Sequence, residues 1–140
     1  MPFLLKTEPS EYSFDDLRRE KRCVWSGVSN PAALIALRSI KKGDLAFIYH
    51  TGDEKAVVGL ARALSAAYQD PDRPGLNDRG EPKFAVVDLA PVKAAPTPLT
   101  LAAMKADKRF ADFALLKQSR LSAMPVPADL AALITSLAGL

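Results

Sequence analysis

Residues 43–65 contain the strongest structural signal in this 140-residue chain. Residues 45–50 form an almost unbroken apolar run, which is the pattern of a buried strand. Residues 51–55 have the composition of a hairpin turn, so residues 56–65 are predicted to return as the partner strand. Gly59 inside that second strand indicates a bulge or the close approach of another backbone, and both are common in small barrels.

The rest of the chain predicts short helices and strands on either side of this hairpin. Ser13 can cap a helix, with Asp16 at the position that completes a capping box. Asn30 followed by Pro31 is a strong helix start, because the Asn side chain accepts from a first-turn N–H and Pro fits the first helical position. We predict strands over residues 3–6, 83–92 and 120–122, helices over residues 14–19, 31–40, 100–105, 110–116 and 128–137, a polar loop over residues 69–82 and a short linker over residues 94–98.

The length and the order of these elements indicate one α+β domain. With 140 residues, of which 49% are hydrophobic, the chain can form a single core and is too short for two. A few strands that close on themselves, with short helices over the ends, describe a small barrel. We therefore predict one domain over residues 1–140.

The scarcity of cysteine and histidine excludes several kinds of site. Cys23 is the only cysteine and His50 the only histidine, so we expect no disulfide, no metal site and no cofactor. No nucleophile–base motif and no Gly-rich phosphate loop occurs, so we expect a protein that is not an enzyme. The apolar residues 2–5 end at Lys6, and no apolar run approaches the ~20 residues of a membrane span. We expect no membrane association and a cytoplasmic location.

The charge of the chain permits a polyanionic partner without requiring one. The net charge is +3, and basic residues cluster at residues 18–22, 38–42 and 105–109. Each cluster lies where a helix ends or a surface turn begins, and solvated cations are common at such places. These clusters alone do not identify a nucleic-acid site.

Trp25 is the most informative candidate for a binding function. It lies in a predicted loop beside the small residues Ser26 and Gly27, where an aromatic wall would face an open slot. The amide of Asn30 is expected near that wall, a combination that suits a flat heterocycle stacked on indole and hydrogen-bonded along its edge. In the alternative interpretations, Trp25 anchors the core and His50 has a purely structural role.

Several short motifs occur in the order found in one known family. They are Lys6-Thr7-Glu8-Pro9, Tyr12-Ser13, Trp25-Ser26-Gly27-Val28 followed by Asn30, Lys42-Gly43-Asp44, Phe47-Ile48-Tyr49-His50, Val58-Gly59-Leu60-Ala61, Tyr68-Gln69-Asp70-Pro71, Ser119-Arg120-Leu121-Ser122 and Pro125-Val126. In this order the motifs resemble the EVE domain family over nearly the whole chain.

The resemblance implies a PUA-like fold, which is a small pseudo-β-barrel with short helices packed around it. EVE domains are related to the YTH domains that bind methylated adenine in RNA, and family members are associated with modified bases in DNA. The resemblance therefore implies a non-enzymatic module that binds nucleic acid carrying modified bases, expected to be DNA. We expect the protein to be a monomer. It implies Trp25 as the stacking face, Ser26 and Asn30 as base-edge or backbone contacts, and a surrounding wall of Lys6, Thr7, Tyr49, His50 and Arg120.

The chain departs from the usual family pattern just after Gly27-Val28. Ser29, Pro31 and Leu34 stand where the family commonly has two cations and an aromatic ring, so we expect few phosphate contacts from this helix start. Two other classes of function stay open at this point. The same slot could hold a free nucleotide or another small molecule, or the domain could be an accessory protein-interaction module.

Overall fold

The chain folds into one curled sheet with five short helices packed around it. The structure is a computed structural model and describes residues 1–140. The strands are β1 (Phe3–Thr7), β2 (Cys23–Trp25), β3 (Leu45–His50), β4 (Ala56–Ala63), β5 (Tyr68–Gln69), β6 (Ala85–Thr100) and β7 (Ala123–Pro125). The helices are α1 (Phe14–Glu20), α2 (Pro31–Arg38), α3 (Leu101–Lys105), α4 (Ala114–Lys117) and α5 (Ala128–Ala138), with one 3₁₀ turn at Lys108–Phe110. The predicted α+β architecture is confirmed.

The strand order leaves the sheet open along one seam. The order is β2-β6-β4-β3-β1-β7, with β5 as a short extra partner of β6. Strands β1 and β3 run parallel, and every other pair is antiparallel. Since β2 and β7 are the two end strands and do not pair with each other, the predicted barrel is a half-barrel. The predicted hairpin is the pair β3 and β4.

A cluster of 36 buried residues forms the core. Helix α2 and the turn after it contribute Leu34, Leu37 and Ile40, as their helical spacing predicts. Helix α5 buries Leu130 and Ile134 in the same way. None of the helices combines the length and the apolar character that a bilayer crossing requires.

The two predicted helix starts have the expected hydrogen bonds. Ser13 Oγ accepts from the Asp16 N–H at 3.0 Å, and the Asp16 carboxylate accepts from the Ser13 N–H at 2.8 Å, which completes the capping box of α1. Asn30 Oδ1 accepts from the N–H groups of Ala32 and Ala33 at 2.9 and 3.1 Å. Both caps are therefore confirmed, and the cap of α2 occupies the side-chain acceptor of Asn30.

Gly59 lies at an irregular point of β4. The pairing of β4 with both of its neighbours shifts beside this residue, so the predicted bulge is confirmed. A Cβ atom on Gly59 would lie 2.5 Å from the ring of Phe14, the first residue of α1. The close approach therefore comes from a side chain and not from another backbone. Glycine is needed here because the Phe14 ring lies flat against the strand.

The prediction that residues 94–98 are a linker is wrong. They belong to β6, which is 16 residues long and pairs with β4 along most of its length. The register changes from Gly59 opposite Ala94 to Val57 opposite Leu99. Residues 95–98 of β6 therefore bulge out opposite the single residue Val58 of β4. Both prolines of the predicted linker, Pro96 and Pro98, lie in this bulge, at positions that do not pair with β4.

The last strand lies a few residues further along the chain than predicted. The short strand predicted at residues 120–122 is wrong, since the strand is β7 at Ala123–Pro125, where it pairs with β1. Ser122, just before β7, still accepts from the Lys6 N–H at 2.9 Å.

The loop predicted around Trp25 is also wrong, because Trp25 pairs with Val87 of β6 as the last residue of β2. A three-residue strand is too short to show alternation in the sequence.

Candidate functional site

A pocket of about 400 Å³ lies at the seam of the half-barrel. One wall is the end of β1 with the turn that follows it, and the opposite wall is β2 with the loop after it. Its volume falls within the range of small-molecule pockets, and it is mixed in character rather than purely apolar. The lining residues are Lys6, Thr7, Glu8, Glu11, Tyr12, Cys23, Val24, Trp25, Ser26, Gly27, Val28 and Ser122.

Trp25 and Tyr12 form the aromatic part of the wall. Their ring centroids lie 6.2 Å apart with the planes at 82°, the edge-to-face arrangement that aromatic pairs prefer. Trp25 is only 7% exposed and belongs to the core cluster, whereas Tyr12 is half-buried. The two interpretations of Trp25 are therefore combined in one residue. Most of the indole packs in the core, and a small part of it faces the pocket.

The polar side chains of β1 and Tyr12 are held in place by hydrogen bonds. Thr7 Oγ1 donates to the Tyr12 carbonyl at 2.6 Å, and the Tyr12 hydroxyl donates to Glu20 at 2.6 Å. Burial, followed by the hydrogen bond to Glu20, raises the pKa of Tyr12 well above its ordinary value, so the phenol stays neutral. Lys6 Nζ donates to the Ser119 carbonyl at 2.9 Å, and burial lowers the pKa of this ammonium group. The wall is thus pre-organised.

Two carboxylates line the pocket and differ in their freedom. Glu8 accepts from the Ser10 N–H and hydroxyl and from the Thr51 hydroxyl, at 3.2 to 3.3 Å, so its position is fixed within the turn. Glu11 is exposed, and its carboxylate has neither an ion pair nor a hydrogen-bond partner in the protein. A free carboxylate at this place can accept from an amino group, such as the exocyclic amine of cytosine or adenine.

The backbone of residues 26–28 supplies unused donors beside these side chains. Gly27 has a φ of +81°, and the N–H groups of all three residues donate to no backbone carbonyl. Arg73 fixes the far end of this segment, because its guanidinium donates to the Val28 carbonyl at 3.2 Å and to the Ser29 hydroxyl at 3.0 Å. The same guanidinium also donates to the buried Asp70 at 3.1 Å.

Tyr49 and His50 lie in β3, outside the residues that line the pocket. His50 Nε2 accepts from the Phe14 N–H at 3.0 Å, so the proton of the neutral ring is on Nδ1, 2.5 Å from a Glu54 oxygen. The ring of Tyr49 lies 5.8 Å from the Lys6 ammonium. The structure therefore places these two predicted wall residues as supports, with His50 tying β3 to the start of α1.

Asn30 and Arg120 lie together in a second, smaller depression, here called the flanking depression. It has a volume of about 300 Å³ and is lined by Asn30, Ala32 and residues 117–121. The structure thus brings Lys6, Thr7, Trp25 and Ser26 together in the pocket, and it places Asn30 and Arg120 beside that pocket rather than in it.

The comparison with known proteins identifies the family. Residues 2–137 match the EVE domain. The chain belongs to the EVE domain family. A protein from Rhodopseudomonas palustris, solved by NMR, is 39% identical to this EVE domain, with a TM-score of 0.87 over 99% of this chain and 92% of that one. The half-barrel is accordingly a PUA-like fold of the EVE type, as the resemblance implied.

Two relatives extend this comparison to vertebrate proteins. A crystal structure of human THYN1 protein in complex with 5-methylcytosine containing DNA is 25% identical to this EVE domain, with a TM-score of 0.86 over 99% of this chain and 98% of that one. Thymocyte nuclear protein 1 of Gallus gallus is 28% identical over 123 residues. That match covers 74% of this chain and 51% of the relative, so the EVE domain spans about half the length of the curated relatives it matches.

Several residues of the EVE domain pocket were not predicted as site residues. Tyr12 and Glu8 stood within the family motifs without an assigned role, and the Tyr12-Ser13 pair beside a helix cap was a usable signal. Glu11 and Arg73 gave no signal, because Glu11 meets the rest of the site only where β2 lies opposite the turn after β1, and Arg73 supports the wall through contacts with the distant Val28 and Ser29. Cys23 also lines the pocket, and burial raises the pKa of its thiol, which therefore stays protonated.

Proposed function

We propose that this EVE domain binds a modified nucleobase in DNA by taking the base into the pocket between β1 and β2. The observation that carries the proposal is the combination of an aromatic wall with donors and an acceptor at one seam. The human relative that was crystallised with 5-methylcytosine containing DNA has the same fold over nearly the whole chain, which supports DNA as the partner.

The chemistry of the pocket suits the edge of a base better than it suits an apolar ligand. Glu11 can accept from an exocyclic amine, while Lys6 and the free N–H groups of residues 26–28 can donate to ring nitrogens or carbonyl oxygens. The exposed part of Trp25 and the ring of Tyr12 offer apolar contact to the base face and to an added methyl group. Recognition in this pocket is binding and involves no covalent step.

The shape of the site requires the base to leave the double helix. The pocket is a concave site about the size of a small ligand, so a stacked base inside a duplex has no access to it. Proteins that read or modify such a base take it out of the stack, at a cost of a few kcal/mol. We therefore propose that the domain binds single-stranded or flipped-out bases more readily than intact duplex.

The partner is distinguished from a free small molecule by the salt dependence of binding. Nucleic acid releases counterions on binding, so its affinity falls as salt rises, whereas the affinity of a neutral nucleoside does not. With a net charge of +3, we expect about two to four phosphate contacts and weak binding to unmodified strands. A salt-independent affinity for the nucleoside, with no gain on the oligonucleotide, would instead favour a small-molecule site.

The test is a competition assay with oligonucleotides that differ by one base modification. Matched strands carry cytosine, 5-methylcytosine, adenine or N6-methyladenine at one central position, and each competes for a labelled strand followed by fluorescence anisotropy. Ser26→Phe fills the pocket from an exposed position, and Ser136→Phe on α5 is the matched control. We expect a preference for one modified strand that Ser26→Phe abolishes and Ser136→Phe retains. Equal affinity for all strands in the unaltered protein would overturn the proposal.

A further inference from the structure

The flanking depression has the composition of an anion site. Its seven lining residues include the cations Lys117 and Arg120, three further polar side chains and no carboxylate. The Arg120 side chain forms no ion pair and no hydrogen bond within the protein. Lys117 contacts Asp112 at 3.1 Å, but both side chains are more than half exposed, which makes this pair weak. The charge of Arg120 is therefore uncompensated, and that of Lys117 is only weakly paired.

Unused hydrogen-bond donors surround the same depression. Asn30 has its Oδ1 engaged in the cap of α2, which leaves the two N–H donors of its amide group without a partner. The backbone N–H groups of Ser119 and Arg120 donate to no backbone carbonyl. An anion in the depression would therefore meet a guanidinium, an amide and backbone donors at once.

The first turn of α2 does not supply these donors. The N–H groups of Ala32 and Ala33 donate to Asn30 Oδ1, that of Leu34 donates to the Asn30 carbonyl, and Pro31 has none. The helix start is thus closed to an incoming anion. Any anion must be held by the side chains of Asn30 and Arg120 and by the backbone of residues 119–120.

The flanking depression adjoins the base pocket along two chain segments. Val28 and Ser122 line the pocket, and Asn30 and Leu121 line the depression. Two residues of extended chain span at most about 7 Å, which is the scale of the separation between a base and its own phosphate. Lys6 lies on the boundary, since its side chain lines the pocket while its ammonium donates to Ser119.

The two sites differ in charge in a way that orients a nucleotide. The pocket contains the carboxylates Glu8 and Glu11, which repel a phosphate, whereas the depression contains none. We propose that the flanking depression binds the phosphodiester next to the base held in the pocket. This inference rests on the proposed function, because it places the backbone of the same strand. The depression then supplies affinity that is independent of the base, and the pocket supplies the preference for modification.

The experiment measures affinity and salt dependence for the modified strand and its unmodified match between 50 and 200 mM salt. Arg120→Gln removes the free cation, and Arg62→Gln removes an exposed, unpaired arginine on β4 as the matched control. We expect Arg120→Gln to weaken both strands by roughly three- to tenfold and to reduce the salt slope by about 0.7, the value of one contact on a single strand. The ratio of the two affinities should not change.

A second variant tests the same depression without removing a cation. Asn30→Asp keeps a good helix cap but exchanges the free amide donors for a carboxylate oxygen. We expect it to weaken both strands at least as much as Arg120→Gln, with an unchanged melting temperature. If both variants bind like Arg62→Gln while the unaltered protein still prefers the modified strand, the phosphate site is wrong and the base pocket stands. If the unaltered protein shows no preference, the proposed function fails, and this inference fails with it.

Discussion

The Tyr12 ring lies edge-on to the indole of Trp25, with the ring centroids 6.2 Å apart. Tyr12 follows the turn after β1, and Trp25 ends β2, so the pair spans the seam that the sheet leaves open. The Tyr12 hydroxyl donates a hydrogen bond to Glu20 of α1, which fixes the position of the ring. One aromatic pair thus joins the two sides of the pocket and connects the core to the site.

Substitution of Trp25 is predicted to affect stability and binding together. Trp25→Ala should lower the free energy of unfolding by about 3–5 kcal/mol, because the side chain is 7% exposed and packs in the core. Trp25→Phe keeps much of that packing, so it should lower stability less while still weakening binding of the preferred strand. Urea unfolding and the competition assay measure the two effects. A fully stable Trp25→Ala protein would contradict the buried position.

The guanidinium of Arg73 is predicted to position the pocket wall without contacting the base. Arg73→Lys cannot reach Asp70, Val28 and Ser29 at once, since it loses the planar fork that makes these contacts. We expect roughly threefold to tenfold weaker binding of the preferred strand, with a smaller loss for unmodified DNA. Arg79→Lys, in the same polar loop, is the control. Equal affinities for the two variants would show that residues 26–28 do not need this clamp.

Gly59 is predicted to tolerate no side chain. Gly59→Ala places a Cβ atom 2.5 Å from the Phe14 ring, so either α1 or β4 must shift. We expect a loss of about 1–3 kcal/mol in the free energy of unfolding, as is usual for overpacked cores. When Phe14 is already replaced by Leu, Gly59→Ala should lower the free energy of unfolding by less than it does in the unaltered protein. Additive losses would place the strain elsewhere.

The acid stability of the domain is predicted to depend on Asp88. Hydrogen bonds from the Tyr68 hydroxyl at 2.6 Å and from Arg22 at 2.8 Å lower the pKa of the Asp88 carboxyl. Because the folded state favours the ionised form, this stabilisation is present above the ordinary pKa of about 3.9 and is lost as the pH falls through the lower folded-state pKa.

Tyr68→Phe tests this contribution and keeps the ring. We expect the midpoint of acid unfolding to move to higher pH and the free energy of unfolding at pH 7 to fall by about 0.5–1.5 kcal/mol. Circular dichroism followed from pH 7 to pH 2 measures the midpoint. An unchanged midpoint would mean that the Tyr68–Asp88 hydrogen bond contributes nothing in solution.

The parts of the fold that depend on near neighbours could be predicted from the sequence. The caps at Ser13 and Asn30 and the hairpin around residues 51–55 each depend on residues within a few positions, so their composition shows them. The course of β6 depends on the distant strand β4, which accommodates prolines through register shifts. No local pattern indicates such a bulge, and a proline-rich stretch therefore resembles a linker.

The candidate site could be predicted only in part for the same reason. Trp25 and Ser26 are neighbours in the chain and beside a turn, so their combination was visible in the sequence. Glu11 lies in a local turn, in which its N–H and that of Tyr12 both donate to the Glu8 carbonyl, but it becomes part of a pocket only because the distant strand β2 forms the opposite wall. His50 is buried, and its Nε2 accepts from the Phe14 N–H on another element, a contact that a single sequence does not show.

The central claim is that a modified base enters the pocket beside Trp25, and the fluorescence of this only tryptophan tests it most directly. The modified oligonucleotide that the competition assay identifies as preferred and its unmodified match are each titrated into the protein, with emission recorded at constant salt. We predict saturable quenching by both strands, with tighter binding of the modified one, since the base contacts the exposed part of the indole. Unchanged emission at saturation, together with equal affinities measured by anisotropy, would contradict the account.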